Sequence, residues 1–474
     1  MRDTKYDSVI IGAGLSGLAA GIRLAQFRKS VLVIEKHNII GGLNSFYSRF
    51  GRKIDVGLHA ITNFVKKGIA KSPLCKLLRQ LRIPYDLLGL CEQNFSKIIL
   101  NEKIVQFNND FSLLESEIDR LFPRSIDVFR QLVEHIKNFD AYHEDSLQNT
   151  STRAMLSSIL HNQELEDMLL LPTLYYGSAC ENDITWQQFV ILFRSIFLEG
   201  FARPFDGIRK ILTLLLQKFQ ELGGEKRLAC EVQRIETCNG KVAGVRLNDG
   251  EFIACRNVLS TIGYPETVKL YDREHFNDTP KGQLSFCEAI AIFEQQPNQY
   301  GWNDTIVFFE RNNHFLYKKS IDEIGTSSGV ICLPNNFNYE NGQSLKEGML
   351  RVTALANYER WKTLSHSAYG TMKKYCFDLL IEQAVKILGN KYFDFETWKK
   401  NLLDRDFFTP LTIERFTGRV NGAIYGSPEK IYNGVLPVKN LFLCGTDQGF
   451  LGIIGAMLSG ISIVNRHLLL EQPS

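Results

Sequence analysis

The stretch Tyr6-Asp7-Ser8-Val9-Ile10-Ile11-Gly12-Ala13-Gly14-Leu15-Ser16-Gly17, continued by Leu18 to Ala25 and by Ser30-Val31-Leu32-Val33-Ile34-Glu35, decides the fold. Tyr6 to Ile11 reads as a short buried strand. Small and apolar residues at helical spacing follow Gly17, and Val31 to Ile34 makes a second strand. Gly12 permits a tight turn, Gly14 lets the backbone approach a pyrophosphate, and Gly17 lets the helix pack close to the strand. Ala13, Leu15 and Ser16 complete the turn, whose free N–H groups and positive helix end face the phosphates. Glu35, about twenty residues beyond the glycines, is placed for ribose hydroxyls. A glycine turn between packed elements would explain the glycines alone, but not strand, helix, strand and terminal acid in this order.

The rest of the chain bounds what this unit belongs to. At 474 residues two domains are the natural expectation. A net charge of +3 without a long basic block gives no footing for nucleic acid. The ten Cys include no CxxC pair and no Cys/His cluster at zinc-like spacing, so no metal site and no dithiol pair are expected. Buried, reduced thiols of a cytoplasmic protein are the plain reading. No run of about eighteen apolar residues predicts a membrane span, while peripheral attachment to the inner membrane face stays open. The 32 Phe, 17 Tyr and 4 Trp are numerous enough to line a large apolar cavity, and a core would use the same residues.

Just past the acid stands Gly41-Gly42-Leu43-Asn44-Ser45, and then Phe50-Gly51-Arg52-Lys53-Ile54-Asp55-Val56-Gly57-Leu58-His59. A second glycine pair gives another close backbone approach, where a nicotinamide-binding fold would already be in its crossover helix. This order selects FAD over NAD. The run resembles the carotenoid desaturase, carotenoid isomerase and retinol saturase branch (phytoene desaturase-like) of the FAD-dependent amine-oxidase superfamily. Leu43 stands where amine oxidases carry Arg.

The resemblance implies a Rossmann-type, glutathione-reductase-like FAD domain formed by residues 1–68, 204–283 and 402–474. An α+β substrate domain with an antiparallel sheet, 69–203 and 284–401, would be inserted into it. It further implies that Lys36, Gly41, Gly42, Leu43 and Asn44 line the dinucleotide and that Leu58 and His59 pass the flavin ring. Val232 would meet the adenine and Thr261 would return beneath the cofactor. Gly445 and Asp447 would reach the ribityl or pyrophosphate region, with Gly452, Ile453 and Ile454 beside the ring. Asn239-Gly240 and Asp249-Gly250 between alternating runs are hairpin signals. The first insertion reads as mostly helical. The second reads as strands at Leu284–Phe293, Thr305–Glu310, Gly329–Leu333 and Met349–Ala356 and a helix over Ser367–Leu388.

Two segments carry double readings. Phe189, Phe193, Phe197 and Phe201 recur every four residues, as a buried core helix or as the wall of a lipid tunnel. Lys66, Lys67, Lys71, Lys76, Arg79 and Arg82 alternate with Leu74, Leu77, Leu78 and Leu81, as a solvated basic helix or as a contact for a membrane surface or an acyl carrier protein. His59 is the candidate catalytic group, either a polar partner of the ring or a backbone anchor. Asp55 reads as a structural anchor, and Tyr175, Arg203 and Tyr264 are further cavity candidates. The implied activity is hydride transfer at flavin N5 to or from carbon–carbon bonds of a long apolar isoprenoid or fatty acyl chain, as desaturation, saturation or isomerisation, with the electron acceptor open. A flavin amine oxidase and a non-catalytic prenyl- or lipid-binding escort protein on the same fold are the alternatives.

Overall fold

Tyr6–Ile11 and Val31–Ile34 are almost wholly buried, as strands covered on both faces must be, and they pair in parallel. They form the centre of a parallel sheet ordered Glu225–Arg227, Val31–Ile34, Tyr6–Ile11, Phe252–Ser260, Leu441–Leu443. Ile10 lies opposite both Val33 and Leu259, and Leu259 opposite Phe442. The first half of Phe252–Ser260 pairs instead with Lys241–Leu247, which pairs with Val232–Cys238, both antiparallel. The two expected hairpins are therefore present. All the parallel strands end on one edge, so Gly12, Glu35, Thr261 and Gly445 gather where an open parallel sheet binds its ligand.

The structure is a computed structural model that describes residues 5–69, 71–140, 150–389 and 395–470. The outer ends of the expected FAD domain and position 70 within the basic segment lie outside the described residues. Four helices frame the sites: α1 (Leu15–Gln26), α2 (Pro73–Leu81), α3 (Trp186–Phe193) and α4 (Gly452–Ile463). α4 lies on α1, and Gly460 rests directly on the Ser16 carbonyl and the Ala20 amide.

The second sheet runs Leu402–Phe408, Ser285–Phe293, Gly348–Ala356, Ser328–Cys332, Ile306–Glu310, Ser96–Leu100, Lys103–Phe107. Every pairing is antiparallel except that between Ile306–Glu310 and Ser96–Leu100. The four strands and the helix expected after residue 284 are present within one or two residues of the expected bounds. One expectation is corrected. Leu402–Phe408, assigned to the FAD domain, is an edge strand of this sheet, so the crossover back falls after it. The first insertion is mostly helical as expected, and it also carries Ser96–Leu100 and Lys103–Phe107, a hairpin around Asn101, which has a positive φ of 52°.

One face of this sheet packs on the helix His366–Leu388 through Cys376, Phe377, Leu380 and Ile381. Helices between residues 111 and 193 cover part of the other. Phe189, Phe193, Phe197 and Phe201 are all at most 1% exposed, the first three in successive tilted ring contacts and Phe107 against both Phe197 and Phe201, so the core reading holds. The helical repeat does not reach Phe201, because Arg194–Glu199 widens to a π-helix that stops at Gly200. The cysteines are free, as expected, but Cys180 and Cys238 are exposed rather than buried.

Gly460→Ala should destabilise the chain by roughly 1–3 kcal/mol, because the added methyl overpacks the α1–α4 contact. Gly370→Ala, on a helix with no atom within 4 Å of an added methyl, should instead stabilise by up to about 1 kcal/mol. Urea unfolding of both variants measures the difference; equal effects would mean that the helices are not in contact at Gly460.

Candidate active site

The dinucleotide cradle is built from backbone. Ala13 O accepts from Gly41 N at 3.0 Å, which sets the two glycine loops side by side. Gly41 holds this turn at φ 118°, a conformation that L side chains rarely adopt. A methyl on Gly14 would find nothing nearer than the Gly41 oxygen at 3.9 Å, and one on Gly42 nothing nearer than Gly14 Cα at 3.8 Å. Both glycines thus face open space. On the far side Gly445 lies close to Ser16, with 3.8 Å between the Ser16 Cβ and a methyl built on Gly445.

No side chain caps the start of α1, whose N-cap residue is Gly14. Ser16 Oγ and His37 Nε2 are buried without a hydrogen-bond partner, one at each end of this surface. An uncapped helix start, an open glycine floor and orphaned polar atoms fit a dinucleotide with its pyrophosphate at α1. Glu35 is 7% exposed, and its carboxylate accepts from Ala13 N at 2.9 Å and His37 N at 3.0 Å. Lys36 reaches toward Gly418, and Cys230 N donates to Glu35 O, which brings the start of the Val232 strand to the same end. Thr261 is beneath the turn, its hydroxyl donating to Ile11 O at 2.9 Å.

Asp447 departs from its expected role. Its carboxylate accepts from Tyr264 N at 2.6 Å and Ser427 N at 2.9 Å and lies 3.5 Å from both Arg419 and Lys430. A carboxylate taken fully out of water needs such partners, and both its oxygens are engaged with protein. Thr446 is the residue directly after Gly445.

Asp55-Val56-Gly57 runs on from the cradle. Val56 N donates to Ser45 O at 2.8 Å, and Gly57 covers the carbonyl of Leu43 beside Asn44. Beyond it lies a chain of buried charges. Arg203 bridges the Asp55 carboxylate and the Leu58 carbonyl (3.0 Å), and Arg351 donates to the same carbonyl at 2.9 Å. Arg351 also donates to Glu288 at 2.7 Å, and His59 Nε2 lies 3.0 Å from Glu288 Oε1 and 3.1 Å from Thr353 Oγ1. Strand alternation explains the convergence: Glu288 stands opposite Thr353 and Ile290 opposite Arg351, so Glu288, Arg351 and Thr353 share one face. Their neighbours Ala289, Val352 and Ala354 face the opposite core.

Burial alone would raise the Glu288 carboxyl, but Arg351 beside it and the His59 hydrogen bond hold it at about 2. Burial lowers the His59 imidazole against the pull of Glu288, leaving the ring neutral at neutral pH. An ionised carboxylate can only accept, so Nε2 carries the proton and Nδ1 keeps its lone pair. Arg203 therefore joins this network. Tyr175 does not: it lies in the helical core with its hydroxyl 2.9 Å from Ser328 Oγ, and Tyr264 only donates its amide to Asp447. Sequence reasoning missed Glu288 and Arg351. The available signal was a single charge inside each of two apolar strands, Ser285–Phe293 and Gly348–Ala356.

Thr62, three residues past His59, meets the start of α4, where a methyl on Gly452 would lie 3.3 Å from its hydroxyl. Ile453 and Ile454 are buried there. Next to this junction opens a cleft of about 900 Å³ between α2, the π-helical extension of α3, and α4.

Residues 15–466 match the flavin containing amine oxidoreductase family. The chain belongs to that family. It is an FAD-dependent oxidoreductase, and its cofactor is FAD. It is 24% identical to a chloroplastic prolycopene isomerase of Daucus carota, over 100% of this chain and 82% of that protein. It is 23% identical to an all-trans-retinol 13,14-reductase of Danio rerio, over 98% and 87%. An oxidoreductase from Methanosarcina mazei has the same fold, with a TM-score of 0.66 at 16% identity, over 97% of this chain and 100% of that one. A RAB GDI from Plasmodium falciparum (TM-score 0.55, 15% identity, 97% of each chain) shares it too.

Gly14→Val should leave the fold intact, because its space is empty, yet lower the FAD content of the purified protein roughly tenfold or more by filling the cradle. Undiminished flavin absorbance would place the cofactor elsewhere. Arg351→Met strands a buried carboxylate and should cost about 3–5 kcal/mol, part of it regained in Glu288→Gln/Arg351→Met. The native Glu288 value lies below that of an unfolded glutamate. Its stabilisation is therefore full above pH about 4.5 and fades as pH falls toward 2. Urea midpoints across pH should show a steeper acid loss in wild type than in the double variant.

Proposed function

We propose that the enzyme acts on carbon–carbon bonds of a long apolar polyene. The cleft is the observation that carries this reading. Ile191, Leu198, Phe450, Leu458 and Ile461 line it, and its inner end at Asn63 and Phe450 adjoins the segment that follows His59. About 900 Å³ falls within the range of sites that enclose small molecules and suits a long chain better than a short amine. The relatives named prolycopene isomerase and retinol 13,14-reductase act on polyenes, which supports the same substrate class here.

FAD held in the cradle supplies hydride exchange at its N5. The protein's part is position, exclusion of water and one proton site. Leu58 and His59 are held at the cradle by Arg203 and Arg351, and neutral His59 offers Nδ1 as a proton acceptor for the carbon next to the bond being changed. Glu288 holds Nε2–H, which fixes the tautomer. The intact open cradle argues against the non-catalytic escort reading, and Leu43 argues against an amine oxidase. The exposed cations of the Lys66–Arg82 segment support contact with an anionic partner surface, whereas Leu74, Leu77, Leu78 and Leu81 are buried in the core and offer a membrane nothing apolar.

Anaerobic incubation of the FAD-loaded protein with a cis-polyene hydrocarbon in micelles should alter the flavin spectrum or give a polyene of changed unsaturation or geometry. Putrescine and benzylamine should leave the flavin oxidised. Bleaching by an amine and silence with the polyene would reverse the assignment. His59→Phe should slow polyene turnover roughly a hundredfold at unchanged flavin content.

A further inference from the structure

The cleft is not apolar throughout. α2 contributes Lys71 just before its start, then Lys76, Arg79 and Gln80 from the face opposite its buried leucines. Lys137, Arg194 and Arg466 add three further cations from other elements. Lys137 is paired with Glu134 at 2.8 Å, and the one carboxyl in the lining is Glu199, which accepts from Asn63 Nδ2 and which burial pushes up to about 7, so that it is largely uncharged below neutrality.

The cations of the same segment divide into two groups. Lys66 pairs with Glu92 at 3.4 Å and Lys67 with Asp86 at 2.5 Å, both outside the cleft. Among the described residues Lys71, Lys76 and Arg79 are exposed and have no ion pair, and Lys76 is near enough to Glu199 to oppose the effect of burial on its carboxyl. Unneutralised cations along a low-dielectric groove focus a positive potential into it.

The charges and the apolar wall are ordered along the groove. Gln80 reaches Asn465 at 3.5 Å, so Arg79 stands at the same outer end as Arg466, while Phe450 and Asn63 mark the inner end. Between them Leu458 and Ile461 lie one turn apart on α4, about 5 Å of apolar wall within the roughly 20 Å of chain from Phe450 to Arg466. A neutral hydrocarbon would use only that wall and would leave the cationic one facing apolar carbon, at a desolvation cost.

Building on the proposed apolar substrate class, we propose that the cleft binds an anionic amphiphile, a long chain ending in a carboxylate or phosphate. The head pairs with Lys76 and Arg79 beside Arg466, and the tail runs along Leu458 and Ile461 toward Phe450. The substrate class is thereby narrowed from any polyene to one with an acidic terminus.

The test uses the FAD-loaded protein with cis-parinaric acid and its methyl ester, two tetraenes that differ only at the head and fluoresce on leaving water. The acid should bind roughly tenfold more tightly than the ester, and added salt should shrink the difference. In Lys76→Gln/Arg79→Gln the preference should fall to near unity with ester binding unchanged, and Leu458→Glu should weaken both. Equal affinities in wild type, or a preference that survives the double variant, would overturn the proposal while leaving the apolar-chain reading intact. Absence of binding by either probe would overturn both. Cosedimentation with phosphatidylglycerol vesicles that depends on Lys76 and Arg79, without head preference among the probes, would assign the basic wall to a lipid surface and overturn it too.

Discussion

The carbonyl oxygen of Leu58 accepts from two buried arginines that belong to different parts of the chain. Arg203 arrives from the end of the first insertion already paired with Asp55, and Arg351 from the second sheet already paired with Glu288. Neither guanidinium can be left without acceptors at this depth, and neither carboxylate without a cation. The Asp55-to-His59 segment is thus held where the nucleotide fold meets the second sheet, and the position of His59 follows from it. Such a network contributes little net stability compared with an apolar core, but it allows only one arrangement of the two units.

Much of this was legible in the sequence, for physical reasons. The first βαβ unit is local: glycines, helix and acid lie within thirty residues, and each has a steric or electrostatic task readable in isolation. The hairpins and the strands after Leu284 were legible because alternation and turn residues are local too. Leu402–Phe408 was misplaced because its sequence, Leu-Leu-Asp-Arg-Asp-Phe-Phe, has charges at its centre. Asp406 and Asp404 are satisfied by Tyr47 and Arg49 and Arg405 faces Asp378, all distant in sequence, and no local pattern reveals such partners.

The site divided in the same way. Backbone contacts to a dinucleotide follow from glycine positions, whereas side-chain roles depend on what burial brings together. Asp447 sits in the turn where a ligand contact was expected, yet folding surrounds it with Arg419 and Lys430. Glu288 and Arg351 find each other only through the register of two strands sixty residues apart. The basic helix of residues 73–81 gave its amphipathic pattern openly, but which cations were neutralised, and that they border a cleft, needed the fold.

If the cradle and the cleft meet, the reactive edge of the flavin lies between the His59 segment and Phe450. A crystal structure of the FAD complex tests this directly. Flavin N5 should open into the inner end of the cleft near Asn63, with continuous space for a chain out to Arg466. An N5 that faces a closed, aromatic-walled chamber separated from this cleft would contradict it.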